Sequence, residues 1–190
     1  MFLVDHGLLT RKEAFLLRRL EAEYTPGVRD SVLLPLVTHA SPVSLRLLDW
    51  AVVNWSKKNN VLCASSTPAR LTNVHDAYKS ALSYWKRRLF DPFRRRKRIE
   101  VRAGSGEVYE TTLGQANFAL WTYKTGVLSY VLCHKDAIEL DMNTVSRQHK
   151  RQKREAEQRT GTKRIRTQIT PSGGRIPCLV YKVSCTVVFA

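Results

Sequence analysis

One stretch limits the possible architecture more than any other. Between residues 74 and 89, Val74, Tyr78, Ala81, Leu82, Trp85 and Leu89 recur at three- and four-residue spacing, with Lys79, Ser83, Lys86 and Arg87 opposite. That period belongs to a helix with one face to bury. Asp91-Pro92 stops it, because proline excludes the helical region for the residue before it. An amphipathic helix draws most of its stability from what it packs against, so this stretch requires partners elsewhere in the chain.

The partners read as helices too. Thr10-Arg-Lys-Glu13 has capping-box spacing and predicts a helix through Phe15, Leu16 and Leu20 that ends before Thr25-Pro26-Gly27. A connecting stretch is expected around Leu33-Leu34-Pro35. Ser41-Pro42 is read as the start of a second helix, with Leu45, Leu48, Val52 and Trp55 on one face. Lys57-Lys58-Asn59-Asn60 closes it, with cations at the negative end of the dipole and asparagine as a left-handed stop. Arg98-Ile-Glu-Val-Arg102 alternates as a short strand, and Gly104-Ser-Gly106 turns the chain. Thr112-Leu-Gly-Gln115 repeats the capping-box spacing before a helix with Phe118, Leu120 and Trp121 inward. Gly126 marks a bend, and a helix is expected to continue from Val127 to Met142.

From Thr144 to Arg159 the chain is nearly all polar and has no stripe to bury. Past Gly161 the pattern alternates. Leu179, Tyr181, Val183, Cys185, Val187 and Phe189 share one side of a strand that follows the Pro171-Ser-Gly-Gly174 turn, which predicts a hairpin with one dry face. The expected fold is mainly α: a compact helical domain of four to six helices, a short strand after the third helix and a C-terminal β-hairpin. Residues 1–40 form the N-terminal helix and connecting segment, 41–143 the helical core, and 144–190 a basic arm and hairpin. Trp50, Trp85, Phe90, Phe93 and Trp121 are the expected core aromatics.

Charge narrows the function. Thirty-two Lys and Arg face sixteen Asp and Glu, a formal net charge of +16 on 190 residues. Such an excess repels itself and attracts polyanions or acidic proteins. It is clustered at Lys86, Arg87 and Arg88, at Arg94, Arg95, Arg96, Lys97 and Arg98, and at Arg147, Lys150, Arg151, Lys153, Arg154, Lys163, Arg164 and Arg166. These are the candidate binding residues for a polyanion or protein partner. Tyr84, Trp85, Phe90 and Phe93 lie near them, but helical spacing assigns Trp85 and Tyr78 to the core. No zinc-finger or RNA-recognition signature is present, so sequence-specific reading has no support.

Catalytic patterns are missing from the sequence. No nucleophile elbow, phosphate-binding loop or dense carboxylate cluster occurs. His75-Asp76 and His134-Lys-Asp136 have no nucleophile in context. The five histidines and four cysteines match no familiar metal spacing. The expectation is no catalytic residue, no cofactor, no metal and no small-molecule substrate. The cysteines are read as reduced and buried. No apolar run is long enough to span a bilayer, and the start does not read as a secretory signal.

Several strings together carry a resemblance. They are Ser44-Leu-Arg-Leu-Leu-Asp-Trp50, Val53-Asn-Trp-Ser-Lys-Lys-Asn59, Tyr78-Lys-Ser-Ala-Leu82, Phe90-Asp-Pro-Phe-Arg94, Lys97-Arg-Ile99, Thr111-Thr-Leu-Gly-Gln-Ala-Asn-Phe118, Trp121, Gly126-Val-Leu-Ser-Tyr-Val131 and Ile138-Glu-Leu-Asp-Met-Asn143. From about Ser41 onward the chain resembles small basic proteins of nucleocytoplasmic large DNA viruses, with an iridovirus-like arginine richness. Ala116 and Ala119 depart from the bulkier residues expected there. The resemblance implies a non-enzymatic minor capsid protein, assembled in the host cytoplasm and held on the inner side of the virion shell. Its implied partners are the major capsid protein and other minor capsid proteins, with an anionic inner membrane or viral DNA as further neighbours. A nucleic-acid-binding accessory factor in replication, late transcription or packaging explains the charge equally well, and both readings stay open at this point.

Overall fold

The structure is a computed structural model that describes residues 2–3, 9–65, 71–93, 95 and 97–160, with side chains of the last helix described to residue 156. Contacts divide the chain into Met1–Arg147 and Gln148–Ala190. Among the described residues the architecture is mainly helical with two small antiparallel sheets.

Helix α1, Arg11–Glu23, begins with the full capping box. Glu13 N–H donates to the Thr10 hydroxyl, and the Glu13 carboxylate accepts from the Thr10 backbone N–H at 2.9 Å. Leu16, Leu17 and Leu20 are fully buried. Each such leucine contributes about 1.5–3 kcal/mol over leaving it in water. Phe15, on the same helix, is 56% exposed. Leu16, Leu17, Leu20 and Glu13 already fill the inward arc, and Phe15 lies on the far side of the helix from it.

The expected connecting stretch is helical. Helix α2 covers 26–37, with Thr25 capping Pro26–Val28, a wide π turn at Arg29–Leu33 and a last turn at Leu34–Val37. A proline in an ordinary helix lacks a donor and clashes with the carbonyl four residues back. The wide turn just before Pro35 relieves both, with Leu34 N–H reaching the Arg29 carbonyl. Helix α3 covers 45–59 and contains a second π turn at Ala51–Trp55. It starts later than expected, at Leu45, because Ser44 supplies the cap by accepting from Leu47 N–H at 3.1 Å. Asn60 stops it in the left-handed region as expected, at φ 47°.

Strands β2, Leu62–Ala64, and β3, Leu71–Asn73, pair as a ribbon, with Cys63 opposite Thr72. Helix α4, Val74–Leu89, follows directly and is capped by Asn73. Its stripe is inward as the spacing requires: Val74, Trp85 and Leu89 are buried, and Tyr78, Ala81 and Leu82 are partly so. A kink at Lys86, with φ 61° and ψ 162°, interrupts the last turns.

The strand expected after this helix is β4, Ile99–Arg102. It sits centrally between β1, Phe2–Leu3, and β5, Val108–Thr111. Ile99 and Val101 point into the core while Glu100 and Arg102 face out. Gly106, at φ 92°, makes the turn between β4 and β5.

Helix α5, Leu113–Lys124, is buried along almost its whole length, with Phe118, Ala116 and Ala119 at 0% exposure. The small residues at 116 and 119 admit close neighbours: the Tyr24 hydroxyl donates to the Ala116 carbonyl at 2.8 Å. Gly126, at φ 73°, turns the chain into α6, Val127–Cys133, and a Cβ there would meet the Ala64 carbonyl oxygen at 2.4 Å. The single helix expected from Val127 to Met142 breaks at His134, after which α7 runs Lys135–Thr160. The helices thus exceed the expected number because 26–37 is helical and 127–142 is split. Ile138 and Met142 seat the start of α7, and Asp141 accepts from Trp50 Nε1 at 3.0 Å and pairs with Lys58 at 2.6 Å.

Phe90 is buried among Tyr78, Phe118 and Trp121 at centroid distances of 5.5–5.9 Å. Trp50 and Trp121 are partly buried. Cys63 is buried, and burial pushes its thiol up; Cys133 is exposed, contrary to the expectation of buried cysteines. Its position near the end of α6 leaves it outside the packed side. Cys178, Cys185 and the expected C-terminal hairpin lie outside the described residues. Among the described residues, no helix is long and apolar enough to cross a membrane.

Candidate polyanion-binding surface

The strings Phe90-Asp-Pro-Phe and Thr-Thr-Leu-Gly-Gln-Ala-Asn-Phe118 meet each other in space. Gln115, 2% exposed, donates from Nε2 to the Pro92 carbonyl at 3.1 Å and accepts from the Thr111 hydroxyl at 2.8 Å. Asn117 donates to the Leu89 carbonyl at 2.8 Å, and Asp91 N–H reaches the Gly114 carbonyl at 3.3 Å. Gly114 permits the approach: a Cβ there would lie 3.3 Å from both the Arg88 carbonyl oxygen and the Asp91 nitrogen. The expected capping box at Thr112 is therefore only half made. Thr112 accepts from Gln115 N–H, but the Gln115 side chain is spent on the clamp. Buried carbonyls left by the end of α4 need donors, and these amides supply them.

The clamp holds the chain from Leu89 to Pro92, which lies between two groups of basic residues in sequence. Lys86, Arg87 and Arg88 are exposed on the last turns of α4, and Arg95, Lys97 and Arg98 are exposed beyond it. Several have internal partners. Arg88 meets Glu13 at 2.9 Å, Arg95 meets Asp91 at 3.3 Å and lies over the Phe93 ring at 4.8 Å, and Arg98 meets Glu110 at 3.1 Å. The Arg98–Glu110 pair is exposed on both sides and weak, whereas Glu13 and Asp91 are largely enclosed. Arg87 and Arg95 also act on Asp49, whose carboxyl is raised by burial and by the neighbouring Asp91 and pulled back by the two guanidiniums. Arg94 and Arg96 lie outside the described residues.

The second basic run is separate. Arg147 ends the first unit, and Lys150, Arg151, Lys153 and Arg154 are exposed on α7 in the second, with Arg151 paired to Glu155 at 2.8 Å. Lys163, Arg164 and Arg166 lie outside the described residues.

A third basic surface was not anticipated. On α1, Arg11, Lys12, Arg18 and Arg19 stand four before, three before, three after and four after Phe15. The i±3 and i±4 spacing that places them around one ring is visible in the sequence. It is overlooked because Phe15-Leu16-Leu17 reads as a single apolar run.

Glu13 is the most enclosed carboxylate near these cations, at 6% exposure. Burial raises its pKa, but hydrogen bonds from the Thr10 backbone and hydroxyl and from Arg88, with the Arg88 charge, outweigh this and hold it below the usual carboxylate range. Both its oxygens are therefore occupied. The cleft beside it, lined by Glu13, Arg88, Lys97, Thr112 and Gly114 among others, has a volume of about 240 Å³. That is below the roughly 300–1,000 Å³ of ordinary small-molecule sites. No group of three or more metal-ligating side chains occurs among the described residues.

Residues 12–177 match the model of a family described as a family of unknown function, DUF7197. The chain belongs to this family. One relative, the uncharacterized protein L507 of Acanthamoeba polyphaga mimivirus, is 28% identical over 159 residues, covering 80% of this chain and 61% of the relative. The chain thus spans less than two thirds of that relative's length. The chain thus has a relative in a large DNA virus, in line with the broader resemblance read from the strings between Ser44 and Asn143. No solved structure matches the chain.

Proposed function

We propose that this protein is a non-enzymatic minor capsid protein of a large icosahedral DNA virus, linking major-capsid capsomers on the inner side of the shell. The observation that carries the reading is the clamped basic segment. A buried hydrogen-bond network holds the end of α4 in place, and exposed cations follow on both sides of it. A fixed cationic surface suits a permanent acidic neighbour better than a transient substrate, because its geometry is set before contact. Family membership and the mimivirus relative support a viral setting. The second basic run, on α7, provides another seat for an acidic capsomer face or an anionic leaflet, at about 1 kcal/mol per well-placed cation.

The test is quantitative mass spectrometry of purified particles split into shell and core. The expected result is a constant ratio to the major capsid protein, retained in the shell after the core is removed. Recovery with the genome-containing core, or a ratio that varies between preparations, would overturn the reading.

A further inference from the structure

Phe15 and Tyr84 are an unusual use of aromatic residues. Both rings are more than half exposed, at 56% and 59%. Both rest on the same buried residue: Phe15 stacks on Trp85 at 6.4 Å and 25°, and Tyr84 meets it edge-on at 4.7 Å and 89°. Trp85, 6% exposed, is part of the core, so the two outer rings stand on a rigid base.

Cations surround these rings. Arg11, Lys12, Arg18 and Arg19 flank Phe15 on α1. The Lys12 ammonium lies 5.0 Å from the Tyr84 ring centre and donates to the Tyr84 carbonyl at 2.5 Å, while the Arg19 guanidinium lies 5.4 Å from the Trp85 ring centre. None of these four cations has an acidic partner among the described residues. Lys86 and Arg87 follow the same tryptophan in sequence, while Arg88 is paired with Glu13, and the helix kinks at Lys86. Its backbone at φ 61° and ψ 162° is a region usually left to glycine.

We infer that this α1–α4 face binds single-stranded nucleic acid, with unpaired bases on Phe15 and Tyr84 and phosphates on the surrounding cations. Phosphates alone would satisfy the charge, and a duplex supplies those. A duplex keeps its base faces stacked inside, however, and leaves the two rings unused. A single strand offers both a flat π surface and a phosphate at every step, and such stacking tolerates any sequence. An anionic bilayer matches the charge, and phenylalanine and tyrosine do insert at its interface, but stable seating there calls for a continuous apolar face along the helix. The exposed apolar groups in the cluster are instead these two rings. The inference does not rest on the capsid reading, since Phe15, Tyr84 and the α1 cations take no part in the clamp that carries that reading.

The test uses the full chain and fluorescence anisotropy with a labelled oligothymidylate, a duplex of equal length, heparin, and phosphatidylserine vesicles. The wild type is expected to prefer the single strand. Phe15→Ala with Tyr84→Ala should weaken single-strand binding about tenfold or more, and leave duplex and heparin binding within about twofold, since the cations are untouched. Phe15→Tyr, which keeps the ring, should retain the preference. Arg11→Gln with Arg18→Gln should weaken every polyanion and flatten the salt dependence. Equal affinity for strand and duplex, or indifference to loss of both rings, overturns the inference. So does ring-dependent binding to vesicles without ring-dependent binding to the oligonucleotide, which assigns the face to lipid.

Discussion

Replacing Gln115 by leucine tests the clamp. The side chain is 2% exposed and keeps two buried groups partnered: the Pro92 carbonyl, at 3.1 Å, and the Thr111 hydroxyl, at 2.8 Å. Leucine has similar bulk, so the cavity term stays small. What changes is that two polar groups lose their partners without regaining water. Each such orphan costs about 1–3 kcal/mol. With modest relaxation the expected loss is about 2–4 kcal/mol, or roughly 5–12 °C in Tm for a chain of this size. Urea unfolding followed by tryptophan fluorescence measures it. Thr111→Val supplies the second edge of a double-mutant cycle. Once Gln115 is leucine, removing the Thr111 hydroxyl removes an orphan, so the double variant should be more stable than additivity predicts by about 1 kcal/mol. A Gln115→Leu protein within 0.5 kcal/mol of wild type (on the order of the scatter for neutral sites), or a strictly additive cycle, would show that solvent reaches these groups and that the clamp is not a closed network.

Other perturbations probe separate links. Gly114→Ala should destabilise by about 1–3 kcal/mol in chemical denaturation, because the new methyl meets backbone rather than a side chain that can yield. Trp85→Ala should cost about 3–5 kcal/mol through the cavity it leaves, and a melting shift within a degree of wild type would contradict the burial of that ring. Glu13 has a folded-state pKa below its ordinary value of 4.5, so its contribution is present above that pH and is lost as pH falls through the lower folded value. Acid titration of stability should therefore be shallower in Glu13→Gln than in wild type below about pH 4.5. Site-resolved alkylation should label Cys133 well before Cys63, whose thiol is buried and raised.

What the sequence reveals is mostly what is decided within a turn of chain. The Thr10–Glu13 box, the Asn60 stop, the α4 stripe and β4 each depend on neighbours three or four residues away, and each is where the spacing puts it. Errors enter where a local signal competes with a distant one. The stretch around Pro35 reads as a connection until a π turn accommodates the proline within a helix. The clamp is invisible locally, since its bonds join residues 23 and 28 positions apart. Gln115 looks like a cap residue because its backbone N–H does serve the cap while its side chain works elsewhere. Of the candidate site, the basic clusters were legible as charge, but the partners that Arg88, Arg95 and Arg98 find were not.

The clamp also changes what the distinctive strings mean. A run such as Thr-Thr-Leu-Gly-Gln-Ala-Asn-Phe invites a search for chemistry, since glycine, amide and hydroxyl side chains gather around many active sites. Here each one serves the framework. Gly114 admits backbone, Gln115 and Asn117 cap carbonyls, and Thr111 completes the pair. None of these groups is left free to meet a substrate. The exposed described groups on either side of the clamped stretch include the cations Lys86 to Arg88, Arg95, Lys97 and Arg98. The distinctive residues of this string thus belong to the support, with its exposed cations on either side. A relative can then vary its individual lysines and arginines without losing the surface, whereas a change at Gly114 or Gln115 undoes the segment that presents it.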